Sequence, residues 1–158
     1  PNIVQCYDAG VSEDNAYIIM EYVEGRSLGQ YLKEQGVFPV ESALKIIMKL
    51  AEALKHALEH DIIHRDIKCE NILLLENEQC ADLPFVVKLV DLGLGYRLHS
   101  DRQELTLPGR FIGSPLIMAP EQFVHDCVIN EKIDMYALGT VLYELIVGEH
   151  PFRGSNPT

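Results

Sequence analysis

The sequence predicts an α+β fold in which short strands come first and helices dominate the rest. Three observations carry that reading. Two runs rich in β-branched and aromatic residues, Ile3 to Ala9 and Ala16 to Val23, flank a polar stretch with Gly10, Ser12, Asp14 and Asn15. From Pro39 to His60, charged and apolar residues recur every three or four positions, the period of a helix with one wet face. From Glu131 to Gly148 the chain is apolar on most helical faces, the pattern of a helix meant for burial.

The first two runs are expected to pair as antiparallel strands, because turn formers separate them. Gly25 to Gly29 is a break, and Ser27 is placed to cap a short helix through about Glu34. In the long helix, Lys45, Lys49, Glu52, His56 and Glu59 make the solvated stripe, and Leu44, Ile47, Leu50, Ala51, Leu54 and Leu58 are expected on the buried face. Pro39 suits its first turn, where a missing N–H costs nothing. Asp61 to Asn71 reads as a loop, followed by short strands at Ile72 to Leu75 and Val86 to Val90 around a polar insertion, Glu76 to Pro84. Asp91 to Gln122 holds no sustained period, and loops of such length in compact domains are commonly functional. The last helix spreads Ile133, Ala137, Leu138, Val141, Leu142, Leu145 and Ile146 around its circumference, so cover on all sides is expected. The chain opens at Pro1 inside an apparent strand, and a longer parent polypeptide is expected.

A chain of 158 residues suits one domain, burying about 70% of its unfolded surface. Thirteen Lys and Arg against 24 Asp and Glu give a net charge of −11. No basic cluster is dense enough to track a phosphate backbone, which argues against a nucleic-acid partner. The four cysteines, at 6, 69, 80 and 127, show no C-x-x-C spacing. They are expected to be reduced, in keeping with a cytoplasmic location for the chain or for a domain of a longer protein. No apolar run reaches the roughly 18 residues a membrane span needs, and no stretch reads as a signal peptide.

The most informative stretch is His64-Arg65-Asp66-Ile67-Lys68-Cys69-Glu70-Asn71. It puts a base, a cation and a metal ligand on one short loop. A carboxylate can accept a hydroxyl proton, an ammonium can neutralise charge on a transferring phosphoryl group, and an amide oxygen can hold magnesium. Asp91-Leu92-Gly93 supplies a second acidic group beside a residue that lets the backbone turn. Phosphoryl transfer needs this equipment, since its catalysis is mostly positioning and charge stabilisation. A strand, a turn and a returning strand between residues 71 and 91 could bring Asp91 back to the same pocket.

The stretch resembles the H-R-D-x-K-x-x-N catalytic loop and D-F-G-like metal site of eukaryotic-type serine/threonine protein kinases. Four further stretches follow the family's order. Pro1-Asn2-Ile3-Val4 and Met20-Glu21-Tyr22-Val23 resemble its fourth strand and its fifth strand entering the hinge. Gly113-Ser114-Pro115-Leu116-Ile117-Met118-Ala119-Pro120-Glu121 resembles the end of its activation segment. Asp134-Met135-Tyr136-Ala137-Leu138-Gly139 resembles the start of its central buried helix. Ile117 to Gln122 and Pro151 to Gly154 are closest in character to bacterial members.

The resemblance implies an incomplete kinase-like α+β fold. Residues 1–22 would be a remnant of the N-lobe sheet with the start of the hinge. Residues 23–158 would be a mainly helical C-lobe up to the central helix, with later helices missing. It also implies ATP and Mg²⁺ as cofactors and a protein with Ser or Thr hydroxyls as substrate; oligomeric state is left open. Asp66 would accept or orient the substrate proton, Lys68 would contact the γ-phosphate, and Asn71 and Asp91 would hold Mg²⁺. Met20 would be the gatekeeper, the backbone at Glu21 and Val23 would bond adenine, and Leu73 would pack on the adenine face. Arg65 would anchor a phosphorylated activation-segment residue, with Ser100 and Thr106 as candidates, and Ser114 would shape the substrate hydroxyl's site. His64 and Leu92 would be buried spine residues, and Asp134 would cap the catalytic-loop backbone.

Departures from the pattern are Leu92 for Phe, Cys69 for the common Pro and Ile117 for Tyr. No Gly-rich loop is present, and Arg26 is the only basic residue before Lys33. The Lys that grips the α- and β-phosphates therefore has no candidate here, nor has the Glu that orients it. Transfer by this chain alone is expected to be negligible. Glu121, if buried, would lack an evident ionic partner. Two other readings share some of these features: a non-catalytic kinase-like binding module and a small-molecule phosphotransferase.

Overall fold

The structure is a computed structural model that describes residues 1–12, 15–77, 83–91, 96–97, 117–123 and 128–152. Strands β1 (Cys6–Ser12) and β2 (Asn15–Met20) form an antiparallel hairpin. The turn is tighter than expected, because β1 runs on through Gly10. Its beginning is also later. Asn2 and Val4 leave the hairpin and join β6 (Phe85–Leu89) instead: Leu89 N–H donates to Asn2 O at 2.8 Å and Val4 N–H to Leu89 O at 2.9 Å. The Asn2 side-chain amide adds a bond to Val87 O at 2.8 Å. An edge strand with open backbone groups attracts partners; Asn2 supplies an acceptor and a side-chain donor, and Val4 a backbone donor.

After the two-residue strand β3 (Arg26–Ser27) comes α1 (Leu28–Gln35). Ser27 caps it as the sequence predicts. Its hydroxyl accepts from Gln30 N–H at 3.2 Å, and the Gln30 side chain accepts from Ser27 N–H at 3.0 Å, a reciprocal capping box. Tyr31 then stacks on Phe38 with ring centres 4.6 Å apart, and Phe85 meets both rings edge-on.

Helix α2 (Val40–Leu58) begins one residue after Pro39, which sits at the cap position, and packs along α3 (Lys132–Val147). Its buried face is Ala43, Ile46, Leu50, Ala53, Leu54 and Ala57. Leu44, expected inside, is 46% exposed, and Ala51 also faces outward. The physical reason is packing distance. Small alanines on the inward face let a neighbouring element approach closely, so the face is chosen by shape as well as by apolar content. α3 is covered on one side: Ile133, Ala137, Leu138, Val141 and Leu145 are buried, whereas Met135, Tyr143 and Val147 are exposed. It ends at Gly148 (φ +85°), whose N–H bonds Glu144 O at 2.8 Å, the left-handed cap that glycine favours.

Between the helices the expected loop at 61–71 has structure of its own. β4 (Ile62–Ile63) pairs with β7 (Tyr96–Arg97), and Cys69–Asn71 forms a 3₁₀ turn. β5 (Ile72–Glu76) then pairs antiparallel with β6, from Ile72 opposite Leu89 to Glu76 opposite Phe85. Ile72, Leu74, Val87 and Leu89 bury against Leu28, Ile46, Leu50 and Leu145. No helix among the described residues is long and apolar enough to cross a membrane.

Candidate active site

The 64–71 turn is held by α3. Asp134, in the first turn of that helix, accepts the backbone N–H of His64 at 2.8 Å and of Arg65 at 2.9 Å. Two adjacent amides can converge on one carboxylate because Arg65 adopts φ +67°, a left-handed conformation rare for a residue with a side chain. Burial pushes the Asp134 pKa above its ordinary value, and the two amide donors pull the other way. His64, fully buried, faces the other direction. Its Nε2 lies 3.0 Å from Val90 O, and its Nδ1 accepts the N–H of Asp66 at 3.3 Å. A backbone carbonyl on one nitrogen and an N–H on the other fix the neutral, Nε2-protonated tautomer. The ring is a structural bridge, as its sequence context predicts.

Asp66 stands at the centre, 4% exposed. Its Oδ2 accepts from Lys68 Nζ at 2.7 Å and from Asn71 Nδ2 at 2.9 Å, and its backbone oxygen accepts from the same Asn71 nitrogen at 2.9 Å. Its Oδ1 is buried and has no hydrogen-bond partner among the described residues. A buried carboxylate oxygen left open is costly, and such exceptions are found where a ligand completes the site.

The Asn71 amide orientation follows from its neighbours. Both acceptors belong to Asp66, so the nitrogen must face them, which leaves Oδ1 as the atom for a cation. The returning hairpin closes the site: Val90 N–H donates to Asn71 O at 2.9 Å. Asp91, the next residue, is exposed and also left-handed at φ +69°. An amide oxygen and a carboxylate are hard donors suited to Mg²⁺, which keeps water and phosphate oxygens as its other ligands. The two residues fit that ion. Among the described residues no cluster of three or more His, Cys, Asp or Glu is arranged to hold a metal alone, so phosphate oxygens would have to complete the shell.

Asp91 and Met20 share a pocket of about 180 Å³ with Ile3, Val4, Cys6, Ile18 and Leu89. Glu21 begins the segment after β2, where its N–H bonds Gln5 O at 2.8 Å. Its carboxylate turns away to Lys88 Nζ and to Gln5 N–H, and the lysine contact holds its pKa below the ordinary value. Val23 is half-buried, with its carbonyl taken by Gly25 N–H at 2.9 Å. Leu73 is half-buried on the face of β5 opposite Ile72 and Leu74. The structure thus brings Asp66, Lys68 and Asn71 into contact, and Val90, the residue before Asp91, bonds Asn71 through the backbone.

Glu121 lies apart and is exposed, in the 3₁₀ turn Pro120–Phe123. The expected problem of an unpaired buried charge does not arise. Ser114, Leu92, Gly93, Ser100 and Thr106 lie outside the described residues, as do Cys80 and Cys127. Cys6 and Cys69 are both free thiols. Sequence reasoning missed the Lys88–Glu21 pair. Its signal was a lysine set between Val87 and Leu89 in an otherwise apolar strand.

Residues 1–158 match the family model described as protein kinase domain. The chain is 39% identical over 157 residues to a probable serine/threonine-protein kinase of Clostridium perfringens. It is 38% identical over 156 residues to serine/threonine-protein kinase PrkC of Bacillus subtilis. It is 36% identical over 161 residues to serine/threonine-protein kinase PknB of Mycobacterium leprae. Each match covers 99% of this chain but only 22%, 22% and 24% of the respective relative. The chain therefore spans less than a quarter of the length of these relatives.

Proposed function

Because the chain belongs to the protein kinase domain family, we propose that it is the hinge and C-lobe part of a serine/threonine kinase, which moves the γ-phosphoryl group of ATP to a protein hydroxyl. Residues 1–22 would be the remnant of the smaller lobe and 23–158 the larger one. Three relatives named as serine/threonine kinases support the choice of acceptor. The reduced-cysteine composition supports a cytoplasmic setting for the domain.

One observation carries the proposal: the buried Oδ1 of Asp66, without a partner among the described residues, beside an Oδ2 already engaged by Lys68 and Asn71. With one oxygen pinned, the other is aimed and desolvated, ready to accept the hydrogen of a Ser or Thr hydroxyl and orient its oxygen for attack. Lys68, within reach of Asp66, puts a positive charge where the transferring group gathers negative charge. Asn71 Oδ1 and the Asp91 carboxylate would hold Mg²⁺, which when bound would neutralise charge on the nucleotide phosphates. Met20 bounds the nucleotide pocket, the backbone of Glu21 and Val23 offers adenine its hydrogen bonds, and Leu73 packs on the base. Arg65 would pair bidentately with an activation-segment phosphate, while Ser114 and Glu121 serve the substrate side of that segment.

The test is Asp66→Ala in the full-length protein, assayed by phosphate transfer to a Ser/Thr peptide. A loss of about a hundredfold or more in kcat is expected; activity within twofold of wild type would refute the role. Residues 1–158 alone should show no Asp66-dependent transfer, because no basic residue before Arg26 can grip the inner phosphates.

A further inference from the structure

Cys69 has no part in the chemistry proposed above, yet its side chain makes a specific contact across the fold. It is 3% exposed, and its Sγ lies 2.9 Å from Glu144 Oε2 in the last turn of α3. The same helix holds the start of the turn through Asp134. The two carboxylates are ten positions apart (144 − 134), about 15 Å along one rigid rod. Asp66 and Lys68 lie between the two tethers, and Asn71 follows Cys69 within one 3₁₀ turn.

We propose that Cys69 is a positioning residue of the 64–71 turn, its thiol donating to Glu144 and fixing the far end of the turn on the helix whose Asp134 fixes the near end. The functional consequence rests on the kinase reading; the bond itself does not. The 2.9 Å separation of Sγ and Glu144 Oε2 is well within hydrogen-bonding distance for a sulfur donor. Movement of Cys69 would pass through the 3₁₀ turn to Asn71, whose side-chain nitrogen grips both the Oδ2 and the backbone oxygen of Asp66. A proline here, common in the family that the sequence resembles, has no such donor, so this tether belongs to a chain with cysteine at the position.

Two measurements on the full-length protein test this. In the first, Cys69→Ala is expected to lower kcat about tenfold with KM for ATP changed less than about twofold, and Cys69→Ser, which keeps a donor, to recover within about threefold of wild type. Loss of packing alone would not be rescued by serine. Wild-type kinetics in Cys69→Ala, or equal impairment in the serine and alanine variants, would overturn the positioning role. In the second, a double-mutant cycle of Cys69→Ala and Glu144→Ala is read by urea unfolding. The two losses should be clearly non-additive, and additive losses would overturn the bond. If Cys69→Ala does not fold, the near-isosteric Cys69→Val replaces it in both measurements. A wild type that transfers no phosphate would overturn the kinase reading alone, and the cycle would still decide the bond.

Discussion

The 64–71 turn and the β1–β2 hairpin have opposite means of support. The turn is short of regular structure but braced from several directions: Asp134 and Glu144 from α3, Val90 from the returning strand, and its own Lys68 and Asn71 around Asp66. The hairpin has a ladder of paired residues, broken once by a register shift between Cys6 and Asp8, but little cover, with Tyr7, Val11, Tyr17, Ile18 and Ile19 all exposed. Hydrogen-bonded regularity and local stability are therefore separate properties. A loop tied to its surroundings by several buried hydrogen bonds can be harder to open than a strand pair with no apolar face covered.

Removing the Asp134 carboxylate should break that contrast most severely. Asp134→Ala leaves two buried amide donors unpaired, and a loss of about 3 kcal/mol in domain stability by urea unfolding is expected. Amide exchange at His64 and Arg65 should rise by a corresponding factor. Ser27→Ala tests a milder brace. It deletes half of the capping box and should cost about 1 kcal/mol, confined to α1.

A third variant concerns the tie between the hinge and β6. Lys88 holds the Glu21 pKa below its ordinary 4.5, so the pair's contribution is fully present above that value and is lost as pH falls through the depressed one. Lys88→Met should therefore be less stable than wild type near neutrality, and the two melting curves should converge in strong acid. A gap that persists in acid would assign the effect to packing of the lysine stem. The smallest effect is expected in the hairpin, where Ile18→Thr should alter global stability by no more than about 0.5 kcal/mol. A larger loss would show that the hairpin is structurally coupled to the braced region.

Much of the braced region was legible from residue order. The spacing of Asp66, Lys68 and Asn71 and the apolar runs on either side of residue 80 predict a loop joined to a hairpin, and Ser27 marks the start of α1. Asp134 was legible as a backbone cap only through resemblance, because an acid in a first helical turn also suits the helix dipole without any partner. The burial of α2 was misread by one step. Periodicity finds a stripe, but Ala43, Ala53 and Ala57 were chosen over Leu44 by the shape of the neighbouring surface, which no local pattern encodes. The departure of Asn2 and Val4 to β6 was illegible for a related reason. Strand partners far apart in sequence compete for the same edge, and only the assembled fold decides the winner. The Lys88–Glu21 and Cys69–Glu144 contacts join residues 67 and 75 positions apart, beyond any sequence window.

Arg65 and Asp91 both carry positive φ without being glycine, at a cost on the order of 1 kcal/mol each. Their backbones alone thus restrict which mutations survive at those two positions. Valine, isoleucine and threonine are barred by sterics before chemistry is consulted, and asparagine is the mildest substitute. Glycine would relax both joints, but each would then have more unfolded freedom to lose whenever the loop takes shape. Variation at 65 and 91 should therefore be narrow even in descendants that had lost catalysis, so a preserved aspartate at 91 is, by itself, weaker proof of activity than a preserved aspartate at 66.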